Sequence, residues 1–509
     1  MILVEKDFWS ERGTDDTSSE ELGTPKPSVL FADMASSGCW KCLSRPSTSQ
    51  LIQANHATLR LPVTAAAATA GFSTSAAVYK NPLGLKPKGP GAFSQNQARG
   101  GKTLKIKKKP PPVRTGKPPA EGERKALRKR IVLSNTNALE VEGLEDLGLQ
   151  NVGSEALVAK VVGLSGSTVD SLRASEAFKI TQGWNLFRRP AILIRNEGVI
   201  CVKALEEAEA EKKTERLVID GGRVSGKSLM LLHAMASAFV KGWIVLNIAD
   251  TQELVNACTE YSPMPDTTPT LFSQNIYTAA WLGRIGKANE AILDKLQLSQ
   301  THSLPIPLQE NISLLRLCEL GSREIEHSWP IFQAFWKEIT AADRPPVLMS
   351  VDGLQWIMKD SLYRNADFDL IHAHDLAIVN HFVQYLSGEK SLPNGGAVIA
   401  ATSRSHAPIS RSTDLAILQQ LNRQAEEEVT ERDPFEKKYD ERADKALQKV
   451  QVMWLNGLSK IEARALMEYW AQSGVLRQRV DEKTVAEKWA LAGNGVVGEL
   501  ERGALRMRI

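Results

Sequence analysis

One glycine-rich segment of eight residues constrains the fold of this chain more than any other part of its sequence. The segment fits the pattern Gly-x-x-x-x-Gly-Lys-Ser/Thr at every fixed position. Glycines in such a loop let backbone N–H groups approach phosphate oxygens, and the helix that follows points its positive end at the anion. The pattern therefore predicts a nucleotide-phosphate site. Its residues are Gly221, Gly222, Arg223, Val224, Ser225, Gly226, Lys227 and Ser228.

The sequence on either side of this glycine loop supports the prediction. Arg216 to Asp220 predicts a short strand, and Leu229 to Val240 has apolar residues at helical spacing. Gly242 follows as a helix C-cap, and Trp243 to Ala249 is a continuous apolar run, which is typical of a strand buried in a parallel sheet. Strand, glycine loop, helix and strand form the βαβ unit that the pattern requires.

A magnesium ligand is predicted at the end of a further strand, Val347 to Asp352. In such sites we expect Lys227 to contact the terminal phosphates, while the Ser228 hydroxyl and an acidic residue on another strand bind Mg²⁺. Asp352 fits the acidic position, although Asp352 and Gly353 are alternatively only a turn at the strand end. Many AAA and STAND ATPases have a glutamate where this chain has Gly353. Because losing a general base costs roughly 10²–10⁴-fold in rate, we expect slow hydrolysis.

A fourth strand, Ala397 to Thr402, is predicted to end at the same site. Hydroxyl groups of Thr402 and Ser403 would lie near the terminal phosphate, as sensor residues do in AAA-type folds, and Arg404 would be a further cation. Ordinary loop residues are the alternative interpretation. No Asn-Lys-x-Asp pattern that reads guanine occurs in the sequence. The motifs therefore do not decide between GTP, GDP and ATP.

The charge of the chain is distributed unevenly, although its formal net charge is only +4. Residues 1–33 carry a net charge of −5, residues 34–130 of +17, and residues 131–509 of −8. From Lys102 to Arg130 there are twelve basic and two acidic residues, with three consecutive prolines. Such a segment cannot bury a core, but it can neutralise a phosphate backbone. We expect residues 80–130 to be a disordered basic arm for RNA, with a solvated linker as the alternative.

The absence of acidic residues from Met34 to Ala120 predicts a mitochondrial import signal. Presequences are cationic, rich in hydroxylated residues and free of acids, and residues 34–79 have this composition. A disordered tail is the alternative. Residues 1–33 are acidic and do not fit an import signal. We therefore expect translation to begin at Met34 and residues 1–33 to be an extension of the gene model.

The remaining sequence predicts an α/β fold of the P-loop NTPase class, AAA/STAND-like, with a parallel sheet and helices on both faces. Residues 131–420 contain the predicted strands, and residues 421–509 are expected to form a helical or winged-helix lid. Asn422 to Lys449 is charge-dense and is expected to be helical. Ser459 and Glu462 form a capping-box pattern at the start of a further amphipathic helix. The absence of any run of 18 apolar residues argues against a transmembrane segment.

These residues together resemble the death-associated protein three family of mitochondrial small-ribosomal-subunit proteins, in a fungal form. The resemblance covers roughly residues 170–509. It implies an AAA-like P-loop fold, a bound guanine nucleotide and a place in the head of the small subunit. It also implies contacts with ribosomal RNA, neighbouring small-subunit proteins and the large subunit. The resemblance is carried by Thr181 to Pro190, the glycine loop, Trp243 to Asp250, Val351 to Gly353 and Leu491 to Gly495.

Two functions remain open from the sequence. The first is a structural constituent of the mitochondrial small ribosomal subunit, in the matrix, that supports mitochondrial translation. It would hold GTP or GDP with Mg²⁺ as a folding and assembly element, with little or no hydrolysis. The alternative is a catalytically active AAA/STAND-type NTPase that acts as a switch or assembly factor. Gly353 favours the first function, because a switch or motor must hydrolyse its nucleotide.

Overall fold

A parallel five-stranded sheet lies at the centre of this chain in a computed structural model. The structure describes residues 131–506 except residues 266, 310 and 438, so the predictions for residues 1–130 lie outside the described residues. The strands are β1 Val161–Gly163, β2 Ala191–Leu193, β3 Thr214–Gly221, β4 Ile244–Ile248, β5 Ser262–Pro263, β6 Phe272–Ser273, β7 Val347–Asp352, β8 Asp360–Arg364, β9 Leu370–His372, β10 Gly396–Ala401 and β11 Gln451–Leu455. The strand order of the central sheet is β11-β3-β10-β7-β4.

The four strands that the sequence predicts for this sheet are β3, β4, β7 and β10. The bounds of β7 agree with the prediction, and the other three strands agree within two residues at each end. Every residue of β4, β7 and β10 is buried. Continuous burial explains why these strands are mostly apolar rather than alternating polar and apolar residues.

Helices cover both faces of the sheet, so the predicted α/β class with a parallel sheet is confirmed. Consecutive residues of β7, such as Leu348 and Met349, belong to the apolar clusters on opposite faces of the sheet. Helices α1 to α3 pack on one face and α5 to α9 on the other. The helices are α1 Gly166–Ala174, α2 Asn196–Ala210, α3 Lys227–Val240, α4 Gln252–Val255, α5 Asn275–Ala288, α6 Glu290–Leu293, α7 Leu314–Arg323, α8 Ser328–Ile339, α9 Ala377–Leu386, α10 Arg411–Gln424, α11 Glu441–Ala446, α12 Lys460–Gln472, α13 Glu482–Leu491 and α14 Val497–Glu501.

The part of the chain after residue 420 contributes to the sheet as well as to the C-terminal helices. Strand β11 pairs in parallel with β3 at the sheet edge, so the expected division at residue 420 separates strands of one sheet. Helix α10 ends at Gln424, and α11 begins only at Glu441. The prediction of helix across residues 425–440 is therefore wrong. Pro434 lies in this stretch, and a proline opposes a helix because it removes an N–H donor and clashes with the preceding turn.

Three helices, α12 to α14, follow β11, and the described residues 456–506 contain no strand. The capping box of α12 is confirmed, because the Glu462 N–H donates to Ser459 Oγ at 3.2 Å and the Ser459 N–H donates to Glu462 Oε2 at 2.8 Å. These helices pack against residues of β1 and β2 in a small apolar cluster. Within the described residues, no helix is long and apolar enough to cross a bilayer.

A buried carboxylate on α8 fixes the loop between α6 and α7. Glu338 has no exposed side-chain surface. It accepts hydrogen bonds from the Ser299 N–H at 2.9 Å, the Gln300 N–H at 2.9 Å, His302 Nε2 at 2.8 Å and an Arg344 guanidinium nitrogen at 3.1 Å. Burial acts to raise the pKa of Glu338, but the hydrogen bonds outweigh it and lower this pKa to about 2.

Replacement of this carboxylate, Glu338→Gln, is expected to reduce the free energy of unfolding at pH 7 by about 3 kcal/mol, since it leaves buried partners without the charge. The contribution is complete above the unfolded pKa, near 4.5, and is lost as the pH falls toward 2. Urea unfolding at pH 7 and at about pH 3 measures it. The exposed control Glu324→Gln should change little, and an equal loss in both variants would contradict the prediction.

Candidate functional site

The glycine loop connects the end of β3 to the start of α3, as the sequence predicts. Gly221 has φ +151° and Gly226 has φ +100°, which are conformations that side chains rarely adopt. A Cβ on Gly221 would also lie 2.5 Å from the Leu455 carbonyl oxygen. Helix α3 begins at Lys227 without a side-chain cap. The N–H groups of the first helical turn therefore have no side-chain acceptor, and they lie at the positive end of the helix dipole, next to the loop.

Two distant parts of the chain hold the loop in this shape. The Gly498 N–H at the start of α14 donates to the Val224 carbonyl at 3.1 Å, and Val224 has φ +52°. From the other side, the buried Arg195 guanidinium donates to the Ser225 carbonyl at 3.3 Å and to the Asn456 carbonyl at 3.0 Å. Sequence reasoning missed Arg195, because its partners lie 30 and 261 residues away in the sequence.

The Lys227 ammonium group lies at the mouth of the loop. It donates to the Gly221 carbonyl at 2.9 Å and to the Gly222 carbonyl at 2.6 Å. Burial lowers the pKa of Lys227 below its usual value and Arg404 acts in the same direction, while Asp220 and Asp352 oppose them. The lysine is thus a cation held by the loop itself, close to two acidic groups.

Asp352 ends β7 and its side chain is only 6% exposed. Its carboxylate forms an ion pair with Lys179, a residue that sequence reasoning did not single out. The next residue, Gly353, has φ +94°. The Thr251 hydroxyl donates to the Gly353 carbonyl at 2.6 Å and to the Asp352 carbonyl at 3.1 Å. The backbone at the end of β7 is therefore fixed by a side chain from the loop after β4.

The residues after β10 are arranged around a buried acid. The Thr402 hydroxyl donates to Asp220 Oδ1 at 2.5 Å, and Arg404 donates to both oxygens of Asp220, at 2.6 and 3.2 Å. Burial acts to raise the pKa of Asp220, but the bonds from Arg404 and Thr402 hold it below its usual value. The Ser403 N–H donates to Gln355 Oε1 at 2.8 Å. Thr402 and Arg404, expected at a phosphate, thus contact this carboxylate, and both also line the cavity described below.

One cavity of about 690 Å³ brings most of the predicted site residues together. Its polar lining includes Arg223 to Ser228, Lys179, Asp352 and Thr402 to Arg404, while Gly221 and Gly222 are not among its lining residues. Its apolar lining includes Phe178, Trp184, Ile192, Leu458, Tyr469 and Val497. A concave site of this size with both kinds of lining suits a ligand that is part anion and part planar ring.

Ser228 and Asp352 are the predicted Mg²⁺ ligands, and both line this cavity. Among the described residues, no group of three or more His, Cys, Asp and Glu side chains could hold a metal ion. A divalent cation here would therefore need phosphate oxygens and water as further ligands, which is the usual mode for Mg²⁺. The buried hydroxyl of Ser225 makes no hydrogen bond to another described residue, so the loop also offers a donor to an anion.

Comparison with known proteins gives the family of this chain. The family model described as mitochondrial ribosomal death-associated protein 3 matches residues 192–503. The chain belongs to this family. The match includes the glycine loop, Asp352 and the C-terminal helices that cover the loop. The family that the sequence analysis recognised is therefore confirmed.

Relatives in this family carry the name small ribosomal subunit protein mS29. The Neurospora crassa protein is 46% identical over 483 residues, which are 93% of this chain and 99% of the relative. The Schizosaccharomyces pombe protein is 25% identical over 310 residues, 60% of this chain and 62% of the relative. The Mus musculus protein is 20% identical over 223 residues, 43% and 56% of the two chains. The predicted location in the mitochondrial small ribosomal subunit is confirmed with the family.

Gly353 is expected to be required for stability, apart from any role in hydrolysis. Gly353→Ala places a Cβ 2.7 Å from the Thr251 hydroxyl at a positive φ, which should cost about 2 kcal/mol or more in free energy of unfolding. Gly353→Glu meets the same strain, so it cannot simply add an attacking base. Urea unfolding measures the loss. Gly148→Ala, whose Cβ has no neighbour within 4 Å, is the control, and equal stability of the two variants would contradict the argument.

Proposed function

We propose that this constituent of the mitochondrial small ribosomal subunit holds a purine nucleotide, GTP or GDP, and uses it as a structural element with little or no hydrolysis. The observation that carries the proposal is the convergence of the glycine loop, Lys227 and Asp352 on one cavity of about 690 Å³. ATP remains a candidate ligand on this geometry. The preference for guanine comes from the family resemblance described above.

The polar lining of the cavity suits the phosphates. The uncapped start of α3, the Ser225 hydroxyl and the Lys227 ammonium are the donors that the loop would offer to an anion. Lys227 now donates to two loop carbonyls, and a phosphate would compete for the same ammonium. Where Mg²⁺ binds, Ser228 and Asp352 are the residues that would hold it, and it would add positive charge beside the phosphates. Lys227 would supply positive charge from the chain itself.

The apolar lining of the cavity suits the base and ribose. Trp184 and Phe178 line the cavity and contact each other edge to face, with ring centroids 5.0 Å apart. Tyr469 from α12 and Val497 from α14 also line it. A purine bound among these residues would contact both the sheet domain and the C-terminal helices. Such a ligand would stabilise the assembled fold by mass action.

Two features favour retention of nucleotide over turnover. Gly353 offers no carboxylate at the position after Asp352. Thr402 and Arg404 hydrogen-bond to Asp220, so contact with a terminal phosphate would have to compete with these bonds. One observation favours the alternative function: Asp250, which follows β4, lines the same cavity and could act as a base for water. A slow, switch-like NTPase is therefore the second candidate.

The partners follow from the charge distribution and the family. The basic arm of residues 80–130 would neutralise phosphates of small-subunit ribosomal RNA. Neighbouring small-subunit proteins would contact the body of the chain, whose residues 131–509 carry a net charge of −8. Contact with the large subunit across the subunit interface is part of the same proposal. Backbone contacts of the arm would position the protein without reading RNA sequence.

Removal of the loop lysine is the direct test of nucleotide binding. Lys227→Ala is expected to lose at least about tenfold in affinity for a fluorescent GDP analogue, because a charge-assisted bond to phosphate is lost. The nucleotide that co-purifies with the parent chain, quantified after denaturation, should be depleted in the variant. Exposed Lys295→Ala provides the control. Equal nucleotide content in parent and Lys227→Ala would refute the proposed site.

Turnover separates the structural function from the NTPase alternative. We expect the purified parent chain to hydrolyse GTP and ATP far below the roughly 1–10³ per second of ordinary enzymes. Release of labelled phosphate measures the rate under conditions that saturate the site. A rate within the enzymatic range that Asp250→Asn abolishes would instead establish the NTPase and identify its base.

A further inference from the structure

A lysine that the nucleotide pattern does not include lies against the predicted metal ligand. Lys179 forms an ion pair with Asp352, and both side chains line the cavity. Lys179 lies on the segment between α1 and β2, far in sequence from both the glycine loop and β7. Its pairing is therefore a product of the tertiary fold.

A compact turn sets the position of Lys179. The Lys179 N–H donates to Gln182 Oε1 at 2.9 Å, and the Trp184 indole N–H donates to the same oxygen at 2.6 Å. Phe178 and Trp184 are buried and contact each other. Gln182 and Trp184 belong to the distinctive Thr181 to Pro190 segment of the sequence. That segment therefore fixes the backbone of Lys179, whose side chain forms the ion pair with Asp352.

The ammonium group of Lys179 neutralises the buried carboxylate of Asp352 at the end of β7. The Asp352 side chain is 6% exposed, whereas that of Lys179 is 30% exposed. A carboxylate this deeply buried requires a counter-charge, and in most phosphate sites of this pattern a divalent cation supplies it. Here an ammonium group already does so. Because an ammonium has three N–H donors, Lys179 can bind Asp352 and still donate to a phosphate oxygen in the cavity.

We propose that Lys179 occupies the divalent-cation position on Asp352, so that this chain binds the nucleotide phosphates through a lysine and depends little on Mg²⁺. The inference rests on the proposed nucleotide function for its ligand, but the Lys179–Asp352 pair exists without it. Bound Mg²⁺ and Lys179 compete for the same carboxylate. Removal of the lysine should therefore convert the site to an ordinary metal-dependent one.

The first test compares nucleotide binding with and without the metal. Affinity for a fluorescent GDP analogue is measured in millimolar Mg²⁺ and in EDTA for the full parent chain, Lys179→Met, Lys179→Arg and the exposed control Lys295→Met. Parent, Lys179→Arg and the control should change by less than about threefold. Lys179→Met should lose about 10- to 100-fold in EDTA and recover most of it in Mg²⁺. A parent that itself loses 100-fold in EDTA, or an unchanged metal response in Lys179→Met, would overturn the inference.

The second test needs no nucleotide. Lys179→Met leaves Asp352 without its counter-charge, so its Tm should fall and Mg²⁺ should restore it, whereas the parent Tm should not respond to Mg²⁺. The double variant Lys179→Met/Asp352→Asn removes both charges and should lose the Mg²⁺ response. If no chain binds nucleotide while these Tm responses hold, the proposed function fails and the lysine assignment stands. If nucleotide binds but Mg²⁺ leaves the Tm of Lys179→Met unchanged, the lysine assignment fails alone.

Discussion

The burial of one carboxylate, that of Asp220, sets much of the geometry around the glycine loop. Asp220 lies near the end of β3, directly before the loop, and its side chain has no exposed surface. A lone carboxylate there would be very costly. Thr402 and Arg404, from the end of the neighbouring strand β10, neutralise it with three hydrogen bonds. The buried charge of Asp220 therefore links the pairing of β3 with β10 to the direction of the loop after β10.

That coupling explains which parts of the site the sequence could predict. The glycine loop, the βαβ unit and Asp352 are local patterns, since each can be read from a continuous stretch of sequence. The same reasoning correctly located Thr402 and Arg404 at a strand end, but it could not give their partner, which lies 182 and 184 residues away. Arg195 bonds to Asn456, 261 residues away. Strand β11 also escaped prediction, because an edge strand with exposed Trp454 lacks the continuous apolar signature.

The C-terminal helices contact the glycine loop directly and help to hold its conformation. Gly498 approaches Val224 so closely that a Cβ there would lie 2.7 Å from the valine Cβ. Only a glycine at the start of α14 allows this contact, and the contact holds a non-glycine residue at a positive φ. The loop, α14 and the apolar wall from α12 thus close over one cavity. A ligand in that cavity would add contacts between the sheet and the C-terminal helices, which is what a structural nucleotide requires.

The same groups that make the site rigid also make it poorly suited to a catalytic cycle. A switch must let its strand-end residues exchange partners as the terminal phosphate comes and goes. Here the Thr251 hydroxyl donates a hydrogen bond to the Gly353 carbonyl. Asp220 accepts hydrogen bonds from Thr402 and Arg404, and Lys179 forms an ion pair with Asp352. Each exchange would uncover a buried charge or leave a buried hydrogen-bonding group without its partner, and each such loss carries a penalty of about 1–3 kcal/mol. Because these penalties fall on groups that would all have to move together, they support the proposed retention of one nucleotide over a cycle between two states.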